Sequence, residues 1–234
     1  MLVLPLLLGV AASRPDTWHL VLAGVALSGY LTSATLQTWS RGRRAPEYRR
    51  PILVYGVAFA ILGLVLVIAF PAIVLTMIVA LPAAFVVFQG ARPGTRRDLA
   101  NSVAQVAQAI VLVPAAAFVS GEFDLGRVIP YSAVAAAYLA GTVLVVRSVL
   151  RERGNVAFAA LSAGFHAAVT ALAIVALPGG YALLAAALAA RAIALPVVQQ
   201  ARASGARPLR PIHVGLVEIA ASLAVVVVSF ALPL

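Results

Sequence analysis

Along the whole chain, apolar runs about as long as a bilayer is thick alternate with short loops, and the loops themselves alternate between arginine-rich and arginine-poor. The runs fall at 1–12, 17–39, 51–69, 71–89, 99–120, 130–147, 156–177, 181–199 and 212–233. A hydrocarbon core of about 30 Å takes roughly 20 apolar residues in helical form. In lipid, every backbone polar group must be bonded within its own segment, so these runs predict helices. Nothing in them alternates with the two-residue period of an outer-membrane barrel strand. The first run is the exception in length: its 12 residues rise only about 18 Å. It lacks the basic start of a secretory signal, and it reads as a first membrane segment that is either a stub or has its true start upstream of Met1.

Composition points the same way. Of 234 residues, 63% are hydrophobic and 10% charged, where a soluble domain carries about 25% charged residues. The expected fold is therefore an all-α polytopic helix bundle of nine helices, forming a single transmembrane domain over 1–234. The net charge of +10 is no sign of nucleic-acid binding, because such a surface gathers its charge on one face of a folded domain. Here the charge sits in short runs between helices. All 17 basic residues are arginine, which together with the abundant alanine fits a GC-rich genome. The absence of cysteine excludes disulfides, thiolate catalysis and cysteine metal sites.

The loops assign an orientation. "SRGRRAPEYRR" (40–50) holds five arginines, while "GARPGTRRD" (90–98), "RSVLRERGN" (147–155) and "QQARASGARPLRPIH" (199–213) hold three each. The intervening loops hold only Arg14 and Arg127, against Asp16, Glu122 and Asp124. Cytoplasmic loops carry the arginine excess, so the N-terminus is expected inside and the C-terminus outside. Trp18 and Trp39 flank the second run as interfacial aromatics do. Pro82, Pro114 and Pro196 lie within apolar runs and predict local kinks.

Orientation turns position into depth. In the fifth run Asn101, Gln105 and Gln108 share a face by their i, i+4, i+7 spacing. In the seventh, His166 lies about 15 Å in, with Ser162 and Thr170 one turn to either side. Arg191 stands near the middle of the eighth run, where an arginine facing lipid costs at least about 2.5 kcal/mol. Glu218, on the following antiparallel run, lies at a similar depth, so Arg191 and Glu218 are expected to pair inside the bundle. Such a pair can simply fix helix packing, and a lone interior histidine is ordinarily bonded to a neighbouring backbone. Collectively these groups suggest a polar cavity open to the cytoplasm. The stretch "LVVRSVLRERGN" (144–155) adds Arg147 and Arg151 on one face, with Gly154 expected as the C-terminal cap of the sixth helix. Topology and the helix dipole account for its three arginines without a ligand.

Recognisable chemistry is sparse. There is no phosphate-binding glycine loop, dinucleotide fingerprint or H-E-x-x-H pattern, and no nucleophile elbow. His19, His166 and His213 do not have the spacing of a zinc site. Neither a metal nor a cofactor is expected, and no catalytic residue can be named.

Four stretches carry a family resemblance: "MLVLPLLLG" at the start, "YRRPILVYG" at 48–56, "YLAGTVLVVRSVLRERGN" at 138–155 and "RPIHVGLVEIAAS" at 210–222. With them the chain resembles the YwiC-like family of bacterial integral membrane proteins. That family ordinarily shows a His-Gly-Ala-Trp stretch before a Met-Leu, and this chain begins at Met1-Leu2. The resemblance implies a multispanning membrane protein and brings no reaction with it. At the level of helix number and loop placement, the chain is also similar to the UbiA-type membrane prenyltransferases. Those enzymes hold a prenyl diphosphate through magnesium, on aspartate-rich motifs after helices two and six. The corresponding loops here carry arginines, with Glu47 and Glu152 as their only acids.

The sequence thus leads to a multi-pass protein of the bacterial cytoplasmic membrane, whose inward-facing cavity binds or transports a small anion or an anionic lipid. Its candidate lining is Asn101, Gln105, Gln108, Arg147, Arg151, His166, Arg191 and Glu218. A UbiA-like isoprenoid or lipid transferase without the aspartate motifs and a structural or assembly subunit of a membrane complex are the alternatives. The bilayer is the expected partner, and nucleic acid is not.

Overall fold

The computed structural model describes residues 2–41, 45–89, 99–203 and 209–234. Among these residues the elements are helical throughout, with no strand: α1 (Val3–Ala12), α2 (Trp18–Arg41), α3 (Arg49–Ala69), α4 (Met77–Gln89), α5 (Leu99–Ile110), α6 (Leu112–Val119), α7 (Leu125–Leu150), α8 (Val156–Ala176), α9 (Gly179–Ala203) and α10 (Pro211–Ala231). Short 3-10 turns, Pro46–Tyr48 and Pro71–Thr76, precede α3 and α4. Three of the four arginine-rich loops fall at least partly on 42–44, 90–98 and 204–208, outside the described residues.

Among the described residues, eight stretches are long and apolar enough to cross a membrane: Trp18–Ser40, Pro46–Ala69, Pro71–Gln89, Leu99–Val119, Leu125–Leu150, Val156–Ala176, Gly179–Arg202 and Pro211–Ala231, with Val3–Ala12 as a shorter apolar helix. Their outward faces are apolar, with Val175 87% and Leu20 76% exposed. Water would not tolerate so continuous an apolar surface, and lipid requires it. The chain is a multi-pass membrane protein.

Three runs depart from the predicted helices: the fourth opens as the 3-10 turn Pro71–Thr76, and the fifth and sixth change for local reasons. The fifth is split at Val111 into α5 and α6. Pro114 has no N–H for the carbonyl of Ile110, and its ring crowds that carbonyl; α5 ends at Ile110. The sixth begins five residues before Pro130, because Asp124 starts the helix: its Oδ1 accepts the Gly126 N–H at 2.8 Å and its carbonyl accepts the Val128 N–H at 2.9 Å. Pro82 and Pro196 lie inside α4 and α9 without ending them.

The chain forms two compact units, Met1–Ala136 and Ala137–Leu234, with α7 contributing to both. In the first, Leu22, Leu66, Ile73, Ala116 and Val119 form a buried core. Gly9 brings α1 against α6, since a methyl group there would lie 2.5 Å from the Ala116 Cβ. Asp16 caps α2 by accepting the Trp18 N–H at 2.8 Å, and Trp18 stacks edge-on against Phe70 at 5.3 Å. His19 Nδ1 accepts the Asp16 N–H at 2.9 Å, leaving Nε2–H for the Ala116 carbonyl 3.1 Å away. In the second unit α8 and α9 pack side by side, and Val149, Leu209 and Val214 form a smaller core.

Candidate functional site

The second unit gathers its polar side chains at two levels. Near mid-span, Arg191 of α9 and Glu218 of α10 form an ion pair, Nη1 to Oε2, at 2.7 Å; the two side chains are 8% and 14% exposed. The pair expected from the sequence is present. It persists because an unpaired arginine in this position would face hydrocarbon. Two neighbours missed by the sequence reading extend it. Thr142 Oγ1 of α7 donates to Glu218 Oε2 at 3.0 Å. One turn away, the Tyr138 hydroxyl lies 3.1 Å from the Glu218 carbonyl and 2.8 Å from Ser222 Oγ. The signal was available: Tyr138 and Thr142 are i, i+4 on α7, as are Glu218 and Ser222 on α10, so each pair lines one face.

This network is incomplete. Arg191 Nε and Nη2 and Glu218 Oε1 are buried with no hydrogen-bond partner among the described residues, as is Ser162 Oγ of α8. His166 is buried, and its Nδ1 donates to the Ser162 carbonyl at 2.7 Å. Thr170 Oγ1 donates to the His166 carbonyl at 2.8 Å. The histidine is therefore tied to its own helix, the ordinary role for a lone interior imidazole. Its ring packs against α7 at Gly141, where a methyl group would lie 2.8 Å from Nε2.

The second level lies at the α7–α8 turn. Arg147 Nη2 meets Glu152 at 3.6 Å, with the side chains 15% and 31% exposed, and its guanidinium lies 5.9 Å from the Phe158 ring centre. Arg147 Nε and Nη1 are buried without partners among the described residues. Arg153 Nε donates to the Val149 carbonyl at 3.2 Å, closing the end of α7. Arg151 is exposed at the turn.

Gly154 departs from expectation. The helix ends at Leu150, and Gly154 lies beyond its cap. With φ +78°, it is the third residue of a tight turn in which the Asn155 N–H reaches the Glu152 carbonyl at 3.0 Å, a position that favours glycine. That turn delivers Asn155 as the N-cap of α8, where its Oδ1 accepts the Phe158 N–H at 3.1 Å. Glycine and asparagine thus start α8, while Arg153 finishes α7.

The remaining candidates stand in the first unit, on α5. Asn101 is buried, Gln105 exposed and Gln108 half-buried, so their common helical stripe spans quite different surroundings.

Between α8 and α9, beside the α7–α8 turn, lies an open groove of about 290 Å³. Its mouth carries Arg153, Asn155 and Gln199, and its walls carry Ala159, Ala163 and Ala192. Gln199 was not singled out by the sequence. It is 4% exposed, and its Oε1 accepts the Leu209 N–H at 2.8 Å.

No curated protein and no solved structure matches the chain. Of the stretches that carry the family resemblance, those at 138–155 and 210–222 lie beyond the segment matched by a family model, and the first two lie within it. That model, described as YwiC-like protein, matches residues 1–117, half of the chain, and the protein belongs to the YwiC-like family.

Proposed function

We propose that this YwiC-like protein is a bacterial cytoplasmic-membrane protein whose single membrane domain holds a cytoplasm-facing polar cavity for a small anion or an anionic lipid headgroup. One observation carries the reading. The side chains of Arg147 and Arg191 are 15% and 8% exposed, and four of their guanidinium nitrogens are buried with no acceptor among the described residues. A buried donor without a partner is costly, and guanidinium groups bind carboxylate and phosphate oxygens strongly in such surroundings. The arginine-rich loops, read by the positive-inside rule, support a cytoplasmic position for the α7–α8 turn. Binding is favoured over transport, because the opposite loops are short and carry only two arginines.

The test is mass spectrometry of small molecules and lipids carried through mild purification. It compares the wild type with Arg147→Ala and with the paired replacement Arg191→Met/Glu218→Gln, which leaves no stranded charge. An anionic species present in the wild type and depleted in the variants supports the reading. An identical set of bound molecules in all three overturns it, and stoichiometric membrane partners in all three would point instead to an assembly subunit.

A further inference from the structure

The groove between α8 and α9 has the chemistry of an amphiphile site, and of its lining residues Glu152 alone belongs to the ion pairs described above. Three features converge at its mouth. The first is the N-terminus of α8, a 21-residue helix capped by Asn155, whose dipole favours an anion. Arg153 is exposed there, its Nε held by the Val149 carbonyl. The third is Gln199: with Oε1 committed to Leu209, its Nε2 is buried and has no acceptor among the described residues. Glu152 also lines the mouth, but its carboxylate is engaged by Arg147 at 3.6 Å and by Asn155 Nδ2 at 3.2 Å.

Away from the mouth the groove becomes apolar. From Asn155 to Ala163 on α8, and from Gln200 to Ala192 on α9, it runs about 12 Å at 1.5 Å per residue. That is most of one leaflet's half of a hydrocarbon core about 30 Å thick. Alanines keep the walls low. The rim residues Val156, Ile193 and Val197 are 71%, 56% and 58% exposed, so the groove opens sideways, toward the acyl chains, along its length. A free anion would use only the mouth. A molecule with a charged head and an apolar tail uses all of it.

We propose that this groove holds one anionic phospholipid from the surrounding leaflet, its phosphate at Arg153, Gln199 Nε2 and the start of α8, and one acyl chain against Ala159, Ala163 and Ala192. The groove is a second site, separate from the Arg147 and Arg191 cavity of the reading above, and shares with it only the anionic chemistry of the ligand.

The experiment titrates delipidated full-length protein with phosphatidylglycerol, with phosphatidylcholine and with inorganic phosphate, reading one-to-one adducts by native mass spectrometry. Gln199→Glu keeps the acceptor that Leu209 needs and turns the free donor into an anion. Arg153→Gln removes the cation, and Ala163→Leu fills the groove without touching charge. Arg191→Met/Glu218→Gln and Arg147→Ala serve as the comparison set, and thermal midpoints confirm folding. Phosphatidylglycerol should bind at least tenfold more weakly to the Arg153→Gln/Gln199→Glu double variant and to Ala163→Leu, while phosphatidylcholine binds weakly to all. If the groove variants bind phosphatidylglycerol like wild type while the comparison set loses it, the groove is wrong and the anion-binding reading stands. Equal affinity of both lipids overturns the charge argument. If inorganic phosphate alone binds with the same dependence on Arg153 and Gln199 and Ala163→Leu has no effect, the occupant is a free anion and the lipid is refuted. Failure of any anionic probe to bind wild type sinks both readings.

Discussion

Two Arg–Glu pairs occupy the second unit, and they differ in nearly every physical respect. Arg191 and Glu218 come from different helices, meet at 2.7 Å, and receive a third bond from Thr142. Arg147 and Glu152 are five residues apart around one turn, meet at 3.6 Å, and are more exposed. The first pair exists because hydrocarbon forces a charge to find a countercharge. The second exists because a helix has ended: its arginines complement the carbonyl end of α7, and the carboxylate that follows is simply within reach. Charge at mid-span is therefore a packing constraint, whereas charge at the α7–α8 turn follows from the end of a helix. Both arginines nevertheless keep N–H groups with no partner among the described residues, which is why the same unit supports an anion-binding reading.

Breaking the mid-span pair from one side should have the largest effect. Arg191→Met leaves Glu218 buried without its countercharge and should cost about 3–5 kcal/mol, read as a lowered thermal midpoint in detergent. The double replacement Arg191→Met/Glu218→Gln should recover most of that loss. A single variant as stable as wild type would show that the pair carries no such constraint.

Thr142→Val probes the same level more gently. It removes a hydrogen bond to a charged group, worth about 1.5–3 kcal/mol, and chemical denaturation should detect the change. At the interface the effects should shrink. Asn155→Ala removes the cap of α8 and should cost about 1 kcal/mol, with hydrogen exchange rising first in residues 156–159. Glu152→Gln, which dissolves the longer ion pair, should cost less than about 1 kcal/mol. Should Glu152→Gln prove as damaging as Arg191→Met, the distinction between the two levels would collapse.

Much of this was legible in the residues themselves. The Arg191–Glu218 pair followed from two helix positions and the cost of charge in lipid, and His166 proved to be bonded to its own helix. Gly154 was misplaced by one structural role, because a glycine after a helix fits both a cap and a turn, and the backbone geometry beyond Leu150 chooses between them. Gln199 and Thr142 escaped notice, since a polar residue near a helix end or among alanines looks unremarkable until a neighbouring helix is set against it.

By itself the sequence determined the all-helical membrane class and the positions of the helices, because hydrophobic length and the demand for internally bonded backbone leave lipid-embedded chains few alternatives. It also determined which charges had to be neutralised. Only the tertiary structure decided which partners complete each network and where polar groups remain without one. It alone revealed the groove, whose mouth and walls come from helices brought together by packing, since burial and hydrogen-bond completion are properties of neighbours that no single segment encodes.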